Sequence, residues 1–115
     1  MSETEHIEVQ TETIVDGIVL KPLGEIDLSR APSLRHHIAQ VQSGKPKRLV
    51  IDLQGVSYMD SSGVATLVEA MQVARRTGQK LVLCQLQDKV QSIFEIARLD
   101  MVFTIVKSRE EALAT

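Results

Sequence analysis

The chain is poor in aromatic side chains: it has no tryptophan and only Tyr58, Phe94 and Phe103 among its 115 residues. Its 13 lysines and arginines are nearly balanced by 15 aspartates and glutamates, for a net charge of −2. The absence of both a basic stripe and a platform of stacking rings argues against nucleic acid as a partner. A single cysteine, Cys84, excludes an internal disulfide and suits a reducing compartment. No apolar run approaches the roughly 18 residues of a membrane-spanning helix. The opening Met1-Ser2-Glu3-Thr4-Glu5 is acidic and has no apolar signal core. The expectation is a cytoplasmic protein that does not engage membranes. The six glycines are scattered, and neither Gly-x-x-x-x-Gly-Lys-Ser/Thr nor Gly-x-Gly-x-x-Gly occurs, which removes the common phosphate-cradling loops.

What is present is enough apolar material for one core. Hydrophobic residues make up 43% of a chain of ordinary domain length. A frayed tail is expected over 1–5 and one folded domain over 6–115. His6 to Thr13 alternates as a half-exposed strand, Asp16-Gly17 signals a turn, and Ile18-Val19-Leu20 starts the returning strand of a hairpin. Pro22 has no N–H for a ladder, so that strand must be irregular there or unpaired on one side. A first helix follows, capped by Asp27 or Ser29, with Pro32 in its first turn and a stripe of Ala31, Leu34, Ile38 and Val41. It stops at Ser43-Gly44-Lys45-Pro46. Leu49 to Leu53 reads as a strand buried on both faces. At Val64 the period changes: Val64, Leu67, Val68, Met71 and Ala74 mark one face of a helix ending near Gly78, and this face is expected to be core. Lys80 to Leu86 is a further strand. Asp88 is expected to cap a third helix with stripe Val90, Ile93, Phe94 and Ala97. Val102 to Val106 is the last strand, and Ser108 with Glu111 forms a capping box for a short helix through Ala114. Strands alternating with helices imply an α/β domain: a mixed, mostly parallel sheet with an N-terminal hairpin and about four helices. Strand order does not follow from this pattern.

Between the central strand and helix lies Gln54-Gly55-Val56-Ser57-Tyr58-Met59-Asp60-Ser61-Ser62-Gly63, with three N-cap candidates in a row at Asp60, Ser61 and Ser62. A hydroxyl there sits where open N–H groups and the helix dipole favour an anion. Taken alone, the residues leave two readings open: a plain helix cap, or a functional serine. Nothing completes a catalytic set around it. The Gly-x-Ser-x-Gly elbow is absent. His6 is near the terminus, and no third member accompanies His36-His37 on the first helix. Those adjacent histidines point about 100° apart, a poor metal pair. Asp52 and Asp60 read as a strand-end residue and a cap, and Cys84 as a small core residue. No enzyme activity, cofactor or metal is expected.

Three stretches carry a resemblance to a known family. Gly24-Glu25-Ile26-Asp27 is the first. The second and most specific is Leu49-Val50-Ile51-Asp52-Leu53 followed by Val56-Ser57-Tyr58-Met59-Asp60-Ser61-Ser62-Gly63-Val64. The third is Leu81 to Leu86 with its following helix. On these the chain resembles the STAS domain, and most of all its stand-alone anti-sigma factor antagonists. The resemblance implies phosphorylation at Ser61 by a GHKL-type anti-sigma factor with serine kinase activity, which the unphosphorylated form binds so that sigma is released. The resemblance further implies a serine phosphatase that resets the switch. Loops that join strands to helix N-termini cluster at one end of a parallel sheet. A partner face is therefore expected at Asp27, Asp60, Ser61, Ser62 and Gly63, on which Asp27→Ala or Asp60→Ala should weaken binding with the melting temperature nearly unchanged. Two alternatives stay open: a STAS scaffold subunit of a transport or stress-sensing complex, and a flavodoxin-like enzyme or nucleotide binder. The oligomeric state, monomer or weak dimer, also stays open.

Overall fold

The computed structural model describes residues 5–115. Of the expected tail over 1–5, residues 1–4 lie outside the described residues. Glu5 belongs to the fold instead: its N–H donates to the Ser29 carbonyl at 2.8 Å, and Ile7 two residues on is buried, with its own N–H donating to the Ser33 hydroxyl at 3.1 Å.

The elements run β1 (Glu8–Ile14), β2 (Gly17–Leu23), α1 (Ala31–Ser43), β3 (Arg48–Asp52), α2 (Ser61–Thr77), β4 (Lys80–Cys84), α3 (Asp88–Ile96), a 3-10 turn (Leu99–Met101), β5 (Thr104–Val106) and α4 (Arg109–Ala114). The sheet order is β1-β2-β3-β4-β5, with β1 and β2 antiparallel and every other neighbour parallel. The expected α/β class, hairpin and four helices are therefore observed. Sequential parallel strands joined by crossovers of one hand bring successive connecting helices to the same face. Accordingly α1, α2 and α3 share the larger core with Leu20, Leu49, Ile51, Leu81 and Leu83. The opposite face, made of Val19, Val50, Val82 and Cys84, is covered by Ala112 of α4. The alternation along β3 is what divides its residues between the two cores.

Pro22 falls where its missing N–H does least harm. The ladder to β3 ends at Leu20↔Ile51, so Pro22 faces only Val9 of β1. Helix α2 ends on Gly78, whose φ of +73° is the left-handed conformation glycine accepts without strain, and its N–H returns to the Ala74 carbonyl.

Several expected boundaries move. The first strand is Glu8–Ile14 and not His6 to Thr13, and the strand expected over Lys80 to Leu86 ends at Cys84. The bounds of α3 and of the last strand shift as well. Asp88 is the first residue of α3 and not its cap; Gln87 takes the cap position with no side-chain bond. The charge of Asp88 still lies in the first turn, where the helix dipole favours it. Ala97 ends the helix and is exposed, so the buried part of that stripe is Val90 and Phe94 with Ile93 half-buried. The last strand is shorter than Val102 to Val106: the ladder to β4 begins only at Thr104, and Val102 is exposed. The 3-10 turn rotates the chain so that Phe103 meets Phe94 edge-on, ring centroids 5.4 Å apart.

The expected core face of α2 is inward, with Leu67 and Met71 buried and Val64 and Val68 packed against them. Leu67 is fully enclosed, so Leu67→Ala should cost about 2–5 kcal/mol through lost burial and the cavity left behind. Chemical denaturation of the variant measures this directly. An unchanged midpoint would mean the helix does not use this face.

On the α4 face, burial and the nearby Asp52 carboxylate push the Cys84 thiol up to about 12, with the Arg109 guanidinium opposing. It is an unreactive core residue.

Candidate functional site at the ends of β2 and β3

The loop from Gln54 to Asp60 is polar in sequence but is pinned from beneath. Val56 and Met59 are fully buried. Past the end of the β2–β3 ladder, Gly24 N–H donates to the Gly55 carbonyl at 2.8 Å, and Ile26 N–H to the Tyr58 carbonyl at 2.9 Å. Ile26 and Met59 then form a parallel bridge, and Asp60 N–H returns to the Ile26 carbonyl at 3.1 Å. The segment before α1 and the segment before α2 are thus laced together. This lacing brings Asp27 and Asp60, 33 positions apart in sequence, side by side.

Asp60 is the N-cap of α2. Its extended backbone (φ −98°, ψ −172°) lets Oδ1 accept the N–H groups of Ser62 at 2.9 Å and Gly63 at 3.3 Å. Ser62 Oγ also donates to Oδ1, and Oδ2 accepts Leu28 N–H at 3.1 Å. Asp27 does the same duty one step before α1. Its Oδ1 accepts Ser29 N–H at 3.1 Å, Ser29 Oγ at 2.7 Å and Arg30 N–H at 3.2 Å. It caps the turn that feeds the helix; Arg30 holds the N-cap position proper, without a side-chain bond.

Both carboxyls are held below their ordinary value of 3.8. For Asp60 the Ser62 hydroxyl bond is the chief cause, reinforced by the N–H donors and opposed by partial burial. For Asp27 the Ser29 hydroxyl leads in the same way. Two fixed negative charges therefore stand at this end of the sheet at neutral pH.

These bonds correct the expectation that alanine at either aspartate would leave the melting temperature nearly unchanged. Asp60→Ala should lose about 0.5–2 kcal/mol, the usual worth of an N-cap. Because the folded-state value is lowered, this stability is present above pH 3.8 and is lost as pH falls through the lower folded value. Melting curves of wild type and Asp60→Ala should accordingly lie apart at pH 7 and converge in acid. A constant separation would show that the carboxylate is not the capping group.

The serines divide. Ser61 is the exposed first residue of α2, and among the described residues no hydrogen bond engages its hydroxyl. Ser62 is half-buried with its hydroxyl taken by Asp60. Of the three cap candidates it is Asp60 that takes the position. Gly63 is not on the outer face at all. It is buried, and a Cβ there would stand 2.6 Å from Met59 Cγ and 2.8 Å from Ile26 Cγ2, so glycine is what lets α2 start against the bridge. Asp27, Asp60, Ser61 and Ser62 come together at the surface; Gly63 lies beneath them.

Among the described residues no side-chain base is hydrogen-bonded to the Ser61 hydroxyl; of the neighbouring Asp60 oxygens, Oδ1 is directed to Ser62 and Oδ2 to Leu28. Among the described residues there is no group of three or more His, Cys, Asp or Glu side chains able to hold a metal. A cleft of about 600 Å³ lies elsewhere, between α3 and β5. The site presents an open hydroxyl near two carboxylates whose titration is held low. Sequence reasoning missed two neighbours, Leu28 and Tyr58, which are 75% and 45% exposed. An apolar residue in a turn carries no sequence signal of that kind.

Comparison with known proteins places this geometry in context. The STAS domain family profile matches residues 7–112. The anti-sigma-B factor antagonist of Listeria monocytogenes is 36% identical over 99 residues, spanning 86% of each chain. Among solved structures, an anti-sigma factor antagonist from Mycobacterium paratuberculosis is similar with a TM-score of 0.86 at 26% identity, over 94% of this chain and 92% of that one. The Bacillus cell fate determinant SpoIIAA in its phosphorylated form shares the fold, with a TM-score of 0.71 at 21% identity over 93% and 97%. No helix among the described residues is long and apolar enough to cross a membrane.

Proposed function

This chain belongs to the STAS domain family, and from that premise we propose that it is a cytoplasmic anti-sigma factor antagonist switched by phosphorylation of Ser61. Unphosphorylated, it binds an anti-sigma factor that is also a GHKL-type serine kinase, and sigma factor is released. The kinase transfers a phosphoryl group to Ser61, the complex dissociates, and a serine phosphatase resets the chain. It is a regulator and substrate, not an enzyme.

The observation that carries this reading is the division between the two serines. Ser61 is exposed at a helix N-terminus with a hydroxyl that no hydrogen bond engages among the described residues, while Ser62 is tied to the cap. The names of the relatives support the antagonist role. Asp60 already occupies the N–H groups of Ser62 and Gly63. A phosphoryl group on Ser61 therefore stands outside the helix end as an added charge of about −1.5 to −2, and the fold has no need to change. That the fold of SpoIIAA exists with phosphate attached is consistent with this. What changes is the surface met by the partner.

The test is incubation with the kinase and ATP followed by peptide mapping. One phosphate should be incorporated, on Ser61, with none in Ser61→Ala and normal incorporation in Ser62→Ala. Phosphate on Ser62, or full incorporation into Ser61→Ala, rejects the assignment. Recovery of a transporter ATPase in place of a kinase by affinity capture would favour the scaffold role.

A further inference from the structure

We propose that Leu28 and Tyr58 are the apolar anchors by which the chain grips its kinase-type anti-sigma factor; this rests on the function proposed above and adds the residues that hold the partner. The bridge between Ile26 and Met59 turns both of those side chains inward, where they are 0% and 1% exposed. Side chains alternate along extended backbone, so the neighbours of the bridge face outward: Glu25 and Asp27 on one segment, Tyr58 and Asp60 on the other. Leu28 follows Asp27, and its N–H is held by Asp60 Oδ2, so it stands beside the residue that immediately precedes Ser61. Beside Ser61 the chain therefore sets two large apolar groups with the carboxylates of Asp27 and Asp60. The Arg30 guanidinium, which donates to the Glu25 carbonyl and acts on Asp27, lies on the same segment.

Two physical arguments make this a docking surface. A kinase must bring its phosphoryl donor to bonding distance of Ser61 Oγ, and a standard interface covers about 800 Å² per partner. A patch of that size centred on Ser61 takes in Leu28 and Tyr58. Second, both residues sit on backbone already braced by hydrogen bonds across the two segments, so little ordering remains to oppose association. Binding energy concentrates in a few large anchors near the centre of an interface, ringed by polar groups. The matching surface is an apolar recess bordered by arginine or lysine facing Glu25, Asp27 and Asp60. A phosphoryl group on Ser61 would enter the same interface.

The experiment measures affinity of the unphosphorylated chain for the purified kinase-type anti-sigma factor encoded by the source genome. Leu28→Ala and Tyr58→Ala should each weaken binding about tenfold or more, with melting temperatures unchanged because both side chains are exposed. Tyr58→Phe should retain binding, since the ring is the anchor. Val15→Ala is the control: Val15 is fully exposed at the β1–β2 turn, at the other end of β2 from the site. It should bind as wild type does. In phosphorylation assays the two alanine variants should raise KM and leave kcat near the wild-type value, because neither side chain touches the transferred group. If the wild type binds and both alanine variants bind equally well, the anchors are overturned and the antagonist function stands. A wild type that binds no such kinase overturns both.

Discussion

Phosphorylation of Ser61 is expected to weaken binding to the kinase-type anti-sigma factor about a thousandfold, equivalent to about 4 kcal/mol. A buried phosphate without a cationic partner supplies a penalty of that order. Here the group would be added next to Asp60 and Asp27, both ionised at neutral pH because hydroxyl and N–H donors hold their carboxyls low. A partner surface complementary to those two charges meets a third, doubly charged group that it was not built to pair. Titration of phosphorylated and unphosphorylated chain against the partner measures the ratio. Ser61→Ala should bind like the unphosphorylated form and keep sigma factor free whatever the signal. Ser61→Asp should bind weakly but better than phosphoserine, because one carboxylate supplies less charge and fewer acceptor oxygens. Ser62→Ala should lose only its bond to Asp60, about 0.5–1.5 kcal/mol of stability. Equal affinity of the phosphorylated and unphosphorylated forms would remove the switch.

The second large effect lies on the opposite face of the sheet, where α4 is held by two arginines. Asp52 is fully buried at the end of β3, and its Oδ2 accepts Arg109 Nε at 3.2 Å and Nη2 at 2.9 Å. Gln85 Nε2 donates to the same oxygen at 2.7 Å, and Gln54 N–H to Oδ1 at 3.0 Å. At the other end of α4, Arg48 Nη1 donates to the carbonyls of Ala112 and Thr115 at 2.8 and 2.7 Å. Helix α4 has six residues, too few to persist without such anchors. Arg109→Ala removes the one cation that pairs with Asp52 among the described residues and leaves a buried carboxylate with the neutral donors Gln85 and Gln54. Breaking a buried pair from one side costs about 3–5 kcal/mol, and the low end applies because the Arg109 side chain is 32% exposed. About 3 kcal/mol is a large share of the 5–15 kcal/mol typical of a domain. Denaturant titration should show this loss, and Asp52→Asn in the Arg109→Ala background should recover part of it by removing the stranded charge. If the double variant is no more stable than Arg109→Ala, the cost is lost packing of α4 and not the buried charge.

Much of the site was legible in the chain because it is local. The change of period at Val64, with Asp60-Ser61-Ser62 before it, places a helix N-terminus and an acceptor hydroxyl within a few residues, and capping works over two or three positions. The capping box at Ser108 is the same kind of signal: Glu111 N–H does donate to Ser108 Oγ, at 3.1 Å. The nearly unbroken apolar run of β3 likewise announces a strand enclosed on both sides. Where a local rule admitted several residues, the sequence left the choice open, and it could not tell which of Asp60, Ser61 and Ser62 would take the cap.

The tertiary structure made that choice. Asp60 caps because its second oxygen is also claimed by Leu28, a residue 32 positions away that arrives only through the Ile26–Met59 bridge. The same bridge takes Gly63 out of the outer face by demanding the space a side chain would fill and turns Tyr58 outward, while Leu28 is exposed in the turn that precedes α1. Asp52, which looks in sequence like a simple strand end, acquires a partner 57 positions away because sequential strand order carries the crossover helices to one face and leaves the other for α4. Local hydrogen bonding and periodicity act over one turn or one strand, so the sequence by itself determined the elements and the hydroxyl. Pairing between distant segments depends on strand order and on which face each helix takes, and only the folded chain decided those.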